Sequence, residues 1–184
     1  IELAVDPAAA QKRIRAFLKD KPDNLQARIA LIKTMIDNAP ASSLEHEFDA
    51  VDRIGRRTAR NLLALGSLCE RGKLWQRAER YYREYINRTE QDAQGEMLPD
   101  AGYLRLGMTL LAAGSPQEAI VWLHKVERGD KYVPARVKEA ELLAGQGRFE
   151  ESCAVLTGIR ATSPKQREQL VSACAELLGQ GKRP

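Results

Sequence analysis

The chain repeats itself at intervals of about 34 residues, and this feature constrains the fold more than any other. Each unit holds a set of apolar or small residues three and four positions apart, then a break, then a second such set. The best-defined copy consists of Leu62, Leu65, Gly66, Cys69, Ala78, Tyr82 and Tyr85. Such spacing predicts two amphipathic helices per unit. Its recurrence predicts stacked helix hairpins that bury one continuous core.

The breaks between the apolar sets carry residues typical of turns and helix ends. Gly-Lys, Gly-Ser-Pro and Gly-Arg begin at positions 72, 114 and 147. A capping residue precedes a proline at Asp6-Pro7, Ser115-Pro116 and Ser163-Pro164. The pattern predicts ten helices, over residues 7–20, 24–38, 42–55, 58–72, 75–90, 99–113, 116–128, 132–145, 148–161 and 165–180.

Small residues recur in the middle of both helices of a hairpin. Because glycine costs about 0.5–1 kcal/mol relative to alanine inside a helix, its presence there indicates close approach of a second helix. The first-helix positions are Gly66, Gly107 and Ala140, and the matching second-helix positions are Ala78, Ala119 and Ser152.

The units form a single predicted array. A half unit at 7–24 precedes full units at 25–58, 59–99, 100–132 and 133–166, and a half unit follows at 167–181. Because the chain opens at Ile1 within structured-looking sequence, we expect it to be a fragment of a longer array. Three cysteines without C-x-x-C spacing indicate neither a disulfide framework nor a zinc site. Cys69 and Cys174 fall on apolar helix faces and are predicted core residues.

A unit of this length, with Leu-Gly in the first helix, Ala in the second and Pro at the junction, resembles the tetratricopeptide repeat. The resemblance implies an all-α, right-handed superhelical solenoid of antiparallel helix pairs. The sequence departs from the pattern at Ile32, which replaces the glycine, and at Glu139, which replaces a leucine. A seven-residue insertion also precedes the third full unit.

Residues 103–147 resemble a narrower group, the long tetratricopeptide proteins of proteobacterial envelopes, many of them predicted lipoproteins. The resemblance includes Glu118-Ala119-Ile120-Val121-Trp122-Leu123 and Tyr132-Val133-Pro134-Ala135-Arg136. It implies a scaffold or adaptor that brings envelope enzymes, proteases among them, to their targets. The implied location is periplasmic or tethered to the outer membrane, with the cytoplasm as the alternative.

The sequence contains no pattern that indicates catalysis. His46 and His124 have no partner at acid–base or metal-ligand spacing, and His46 is predicted to be solvated. No phosphate loop, nucleophile elbow or zinc-protease helix is present. We therefore predict a non-enzyme without cofactor or metal. No apolar run approaches the roughly 20 residues that span a bilayer.

The predicted binding surface is the inner wall, which the first helices line in this repeat class. Its residues are Ile29, Lys33, Ile36, Leu63, Ser67, Glu70, Leu104, Met108, Leu111, Val137, Glu141 and Val171. The column three residues before each position equivalent to Gly66 is aliphatic, so a clamp for a C-terminal carboxylate, built from Lys, Arg and Asn, is not supported. The wall predicts a groove for an extended or helical protein segment. The alternative is that its aliphatic residues pack on neighbouring first helices, on further repeats or on a second copy of the chain.

A basic stretch from Arg53 to Arg88 holds ten Lys or Arg and three acids. Its candidate contact residues are Arg53, Arg56, Arg57, Arg60, Arg77 and Arg80. Three interpretations are open: a solvated face with some arginines paired to Glu79 and Glu84, a contact with an acidic protein or membrane surface, and, least favoured, nucleic acid. Trp75 and Tyr81 are the aromatic side chains predicted to be free of the core.

The insertion, Thr89 to Pro99, is a candidate contact loop or a neutral extension. It has no Asp-x-Asp-x-Asp spacing, so a calcium loop is not predicted.

Overall fold

The computed structural model describes residues 6–55, 58–92, 99–160 and 163–180, apart from the side chains of residues 169 and 176–180. Within these residues the chain is all-helical, with ten helices and no strand. They are α1 Pro7–Asp20, α2 Leu25–Met35, α3 Ala41–Ile54, α4 Ala59–Arg71, α5 Trp75–Glu90, α6 Asp100–Ala112, α7 Pro116–His124, α8 Tyr132–Gly145, α9 Phe149–Thr157 and α10 Pro164–Gln180. All ten predicted helices are confirmed.

The chain divides into two compact units, Ile1–Tyr81 and Tyr82–Pro184. In the first unit, α2 packs on α1, on α3 and on α4. In the second unit, α8 packs on α7, α9 and α10, and α6 packs on α7. A first helix therefore contacts both the second helix of its own pair and the first helix of the next pair. This is the arrangement expected of stacked helix hairpins.

Each unit has a core built from the predicted apolar positions. In the first unit, Ile32, Phe48, Leu62 and Cys69 are fully buried. Burial raises the pKa of the Cys69 thiol, so this cysteine is an inert core residue, as predicted. In the second unit, Leu123, Val126 and Ala135 form one cluster, and Val133, Ala140, Leu156 and Ile159 form another, against which Cys174 packs.

The small mid-helix residues permit close helix contacts. A Cβ atom on Gly107 of α6 would lie 2.8 Å from Cγ of Leu123 and 3.2 Å from the carbonyl oxygen of Ala119, both on α7. In the next pair, the Ser152 hydroxyl on α9 donates to the carbonyl of Ala140 on α8 at 2.8 Å. The predicted close approach is confirmed in both hairpins.

Two of the three predicted capping residues form a side-chain hydrogen bond to the helix start. Asp6 accepts from the Ala8 amide at 2.9 Å, and Ser163 accepts from the Gln166 amide at 3.2 Å. Ser115 occupies the predicted cap position before Pro116, but its side chain makes no capping hydrogen bond. In the turn at residues 72–73, the residue with a positive φ is Lys73 and not the glycine. A Cβ atom on Gly72 would instead meet the side chain of Ile36.

Helix α7 ends at His124, four residues before the predicted end at 128. The carboxylate of Asp100, at the start of α6, accepts from the backbone amides of Glu127 and Arg128 at 3.1 and 3.3 Å. The guanidinium of Arg136 on α8 donates to the carbonyls of Leu123 and Val126 at 2.7 and 3.1 Å. The side chains of Asp100 and Arg136 thus take the hydrogen bonds that these backbone groups would make within a longer helix, and α7 ends at His124.

Candidate protein-binding surface

In the second unit, four of the predicted wall residues line two depressions on the side formed by α6, α8 and α10. We call this surface the α6–α8–α10 wall. Leu104 and Met108 line the first depression, and Val137 and Glu141 line the second. Leu104 and Val137 are half-buried, because each also packs on a core cluster. These aliphatic side chains thus serve the core on one side and remain accessible on the other.

The first depression has a volume of about 530 Å³. It is lined by Leu104, Arg105, Met108, Asp130, Lys131, Pro134, Lys138, Ser163, Lys165 and Gln166. Its apolar part includes Met108, whose side chain is 38% exposed. Four of its lining residues are basic and one is acidic, which gives the depression a positive balance.

The second depression, of about 430 Å³, lies between α8 and α10. It is lined by Pro134, Val137, Glu141, Lys165, Glu168, Ser172 and Ala173. Pro134 and Lys165 border both depressions, so the two are neighbours on one surface. Its lining residues include two glutamates and one lysine, so the balance of lining charges is negative.

The remaining wall residues differ in accessibility. Lys33 and Val171 are exposed, and Leu63, Ser67, Glu70 and Leu111 are partly exposed. Ile29 and Ile36 of the first unit are buried, so the prediction that they face a groove is wrong. Both isoleucines belong to the buried core, which agrees with the alternative that wall residues pack within the protein.

Two residues of the predicted basic surface, Arg77 and Arg80, pair with acids on α3. Arg77 donates to Asp52 at 2.6 Å, to Glu45 at 2.6 Å and to Asp49 at 2.7 Å. Its side chain is only 13% exposed. Arg80 also pairs with Asp52. Arg77 therefore joins the second helices of successive pairs, α3 and α5, and little of its side chain is left accessible to a partner.

The contacts within this cluster change the pKa values of its members. The hydrogen bond from Arg77 lowers the pKa of Asp49. Burial would lower the pKa of Arg77, but hydrogen bonds to Asp49 and Glu45 raise it overall. Burial and a 2.7 Å hydrogen bond to Asp52 raise the pKa of Tyr81. Tyr81 is fully buried, so the prediction that it is a free aromatic is wrong.

Other members of the basic stretch remain on the surface. Arg53 and Arg60 are exposed, whereas Arg56 and Arg57 lie outside the described residues. Trp75 is partly exposed and lines a depression of about 500 Å³ together with Lys73, Arg80 and others. Of the predicted insertion, only residues 89–92 and 99 are described.

The sequence analysis missed a cluster around the buried carboxylate of Glu139 on α8. Arg136 donates to Glu139 at 2.6 Å, and Nδ1 of His124 lies 2.8 Å from Oε1 of Glu139. His124 therefore has a carboxylate neighbour in space, although none lies at acid–base or metal-ligand spacing in the sequence. The i, i+3 spacing of Arg136 and Glu139 was a signal in the sequence. The contact with His124 depends on how α7 and α8 pack and has no local signal.

Over the described part of the chain, no three His, Cys, Asp or Glu side chains are grouped so that they could hold a metal ion. None of the described helices has the length and apolar content needed to cross a membrane.

Two crystal structures of MamA are similar to this chain. One aligns with a TM-score of 0.63 and 17% identity over 95% of this chain and 92% of that chain. The other aligns with a TM-score of 0.62 and 17% identity over 97% of this chain and 88% of that chain. No family model matches the sequence, and no curated protein matches it. At this identity the likeness shows the fold, which is the tetratricopeptide type.

Proposed function

We propose that the chain is a non-enzymatic scaffold that binds a segment of another protein on the α6–α8–α10 wall. The observation that carries this proposal is the pair of adjoining depressions lined by predicted wall residues of α6 and α8. Depressions of about 430–530 Å³ lie within the size range of ligand sites, and together they suit a short stretch of chain.

Met108 is the best candidate for an apolar contact with the partner. Its side chain is accessible, and it adjoins Leu104 and Pro134 in the first depression. Fully burying such a side chain contributes about 1.5–3 kcal/mol. A few contacts of this size can support binding near the micromolar range, about −8 kcal/mol, after association costs.

The envelope location and the recruitment of enzymes belong to the proposal as well. They rest on the resemblance of residues 103–147 to envelope tetratricopeptide proteins. Fractionation of cells that express the full gene product tests the location. Recovery in the periplasmic or outer-membrane fraction supports it, and recovery in the cytoplasm contradicts it.

Capture with matched variants tests the binding surface. The chain and its Met108→Glu variant are immobilised, and partners from an extract of the source cells are identified and quantified by mass spectrometry. We expect Met108→Glu to lower the yield of a specific partner at least tenfold, because a carboxylate replaces an apolar contact. The partner is then purified and its affinity for both chains is measured directly.

Val121→Glu is the matched control. Val121 is an exposed aliphatic residue of the same unit, 56% exposed, but it lies on α7. The Val121→Glu substitution should leave the yield of captured partner unchanged. Circular dichroism should show equal helical content in the Val121→Glu and Met108→Glu variants. Equal loss in both variants, or no loss in either, contradicts the proposed surface.

Self-association through the wall is the competing role. Light scattering of the purified chain distinguishes it from partner binding. A dimer that Met108→Glu converts to a monomer means that a second copy occupies the wall, and this result contradicts the proposal.

A further inference from the structure

We propose that the first depression of the α6–α8–α10 wall selects an acidic segment of the partner, with carboxylate side chains flanking one aliphatic side chain. This inference rests on the proposed function and specifies the chemistry of the partner. It concerns side-chain carboxylates within the segment and does not require a free C-terminus.

Charge complementarity is the first support. Arg105, Lys131, Lys138 and Lys165 line the depression, and Asp130 is its one acidic lining residue among those described. The four cations come from α6, from the turn before α8, from α8 and from α10. They therefore surround the space, and an acidic segment can contact several of them at once.

Two of these cations, Lys131 and Lys138, form local ion pairs that solvent weakens. Lys131 pairs with Asp130 at 2.9 Å, and Lys138 pairs with Glu141. The side chains of these two pairs are 33–82% exposed. Ion pairs in solvent are weak and exchange easily. A partner carboxylate can therefore compete for both lysines at little cost.

The apolar part of the depression favours a protein over a nucleic acid. Leu104, Met108 and Pro134 lie among the cations and offer a contact for an aliphatic side chain. Proteins that bind single-stranded nucleic acid combine basic grooves with aromatic rings on which bases stack. Among the described residues that line this depression, none is aromatic.

The neighbouring depression sets a limit to the acidic run. Glu141 and Glu168 line it together with one lysine, Lys165, and their carboxylates repel further carboxylates. A segment that crosses the wall should therefore be acidic over α6 and the start of α8, and neutral or basic between α8 and α10. This asymmetry predicts one orientation of the segment.

The test measures binding of labelled peptides to the whole chain by fluorescence anisotropy. The probe is a peptide of about 12 residues, which spans roughly 40 Å when extended. Its first part carries glutamates around one leucine, and its second part consists of glutamines. Its C-terminus is amidated. Comparison peptides replace the glutamates by glutamine or by lysine. We expect the glutamate peptide to bind at least tenfold more tightly than the glutamine peptide, equivalent to about 1.4 kcal/mol.

Charge reversal assigns the binding to the depression. Arg105→Glu with Lys165→Glu should weaken binding of the glutamate peptide at least tenfold and strengthen binding of the lysine peptide. The control, Lys12→Glu with Arg13→Glu, makes the same change in net charge at exposed positions of α1 and should change affinity less than twofold. Binding of the glutamate peptide should also weaken as salt increases.

Three results overturn the inference. They are equal binding of the glutamate and glutamine peptides, no effect of the reversal at 105 and 165, and binding of polyuridine RNA in place of the acidic peptide. Capture by the wild-type chain and its Met108→Glu variant is measured separately. If that capture behaves as proposed while the peptides do not discriminate, only the acidic preference fails.

Discussion

Gly107 faces Leu123 so closely that a Cβ atom on Gly107 would lie 2.8 Å from the Leu123 Cγ. Real Cβ atoms essentially never approach another atom this closely. The contact joins α6 to α7 and thereby fixes how the first helix of this pair, with Leu104 and Met108 on its accessible side, sits on the second.

Gly107→Ala should destabilise the chain although alanine favours helix. The added methyl overpacks the contact, at a cost of about 1–3 kcal/mol, and the gain in helix propensity offsets about 0.5–1 kcal/mol. We expect a net loss of about 1–2 kcal/mol in the free energy of urea unfolding. Gly145→Ala is the control, since nothing lies within 4 Å of its Cβ position. A stabilised Gly107→Ala would show that the contact is not tight.

Arg77→Met should destabilise the first unit by about 1–2 kcal/mol. The substitution leaves Glu45, Asp49 and Asp52 without their shared guanidinium, and hydrogen bonds to charged groups are worth about 1.5–3 kcal/mol where they are shielded from water. Arg71→Met is the control, because its pair with Asp37 is 52% and 66% exposed. It should cost less than about 1 kcal/mol.

The effect of Arg77→Met should depend on pH. Because Arg77 lowers the pKa of Asp49 below 3.8, this interaction stabilises the fold above pH 3.8 and is lost as pH falls through the lowered value. The difference in unfolding free energy between wild type and variant should therefore be constant near neutral pH and shrink below about pH 4. A difference that grows on acidification would contradict this assignment.

Glu139→Leu should destabilise the second unit although leucine is the residue expected there from the repeat pattern. Arg136 would remain buried without its carboxylate, and breaking a buried pair costs about 3–5 kcal/mol. Thermal and urea unfolding measure the loss. His124→Ala should cost much less, since the His124 side chain is 71% exposed. If Glu139→Leu is neutral, the ion pair does not stabilise the hairpin.

Cys69 and Cys153 should differ in reactivity. Cys69 is fully buried and its thiol pKa is raised by burial, whereas Cys153 is exposed. A thiol-specific colorimetric reagent at pH 8 should modify Cys153 rapidly and Cys69 only after unfolding in urea. Peptide mapping identifies the modified residue. Fast modification of Cys69 in the folded chain would contradict the described core.

The helices were predictable because their information is local. Apolar residues three and four apart mark the buried face of each helix, and glycine, proline and capping residues mark most ends. The early end of α7 was not predictable in the same way. It depends on Asp100 and Arg136, which reach its last residues from other helices.

The site was predictable only in part. Fixed offsets from the positions equivalent to Gly66 (three before, one after and four after) define the predicted wall. Of the residues they identify, Leu104, Met108, Val137 and Glu141 do border the depressions. The same rule failed at Ile29 and Ile36, because it gives the direction of a side chain but not what covers it. Glu45, Asp49 and Asp52 share one face of α3, which was a readable signal, but their partner Arg77 follows from the register between α3 and α5.

Photo-cross-linking tests the account most directly. A photoreactive amino acid is placed at position 108 on α6, or at position 121 on α7, of the full-length protein in its source cells. The account predicts a covalent product with one partner protein from position 108 and none from position 121. A product from position 121 alone, or none from either in cells where the partner is captured, would contradict binding on the α6–α8–α10 wall.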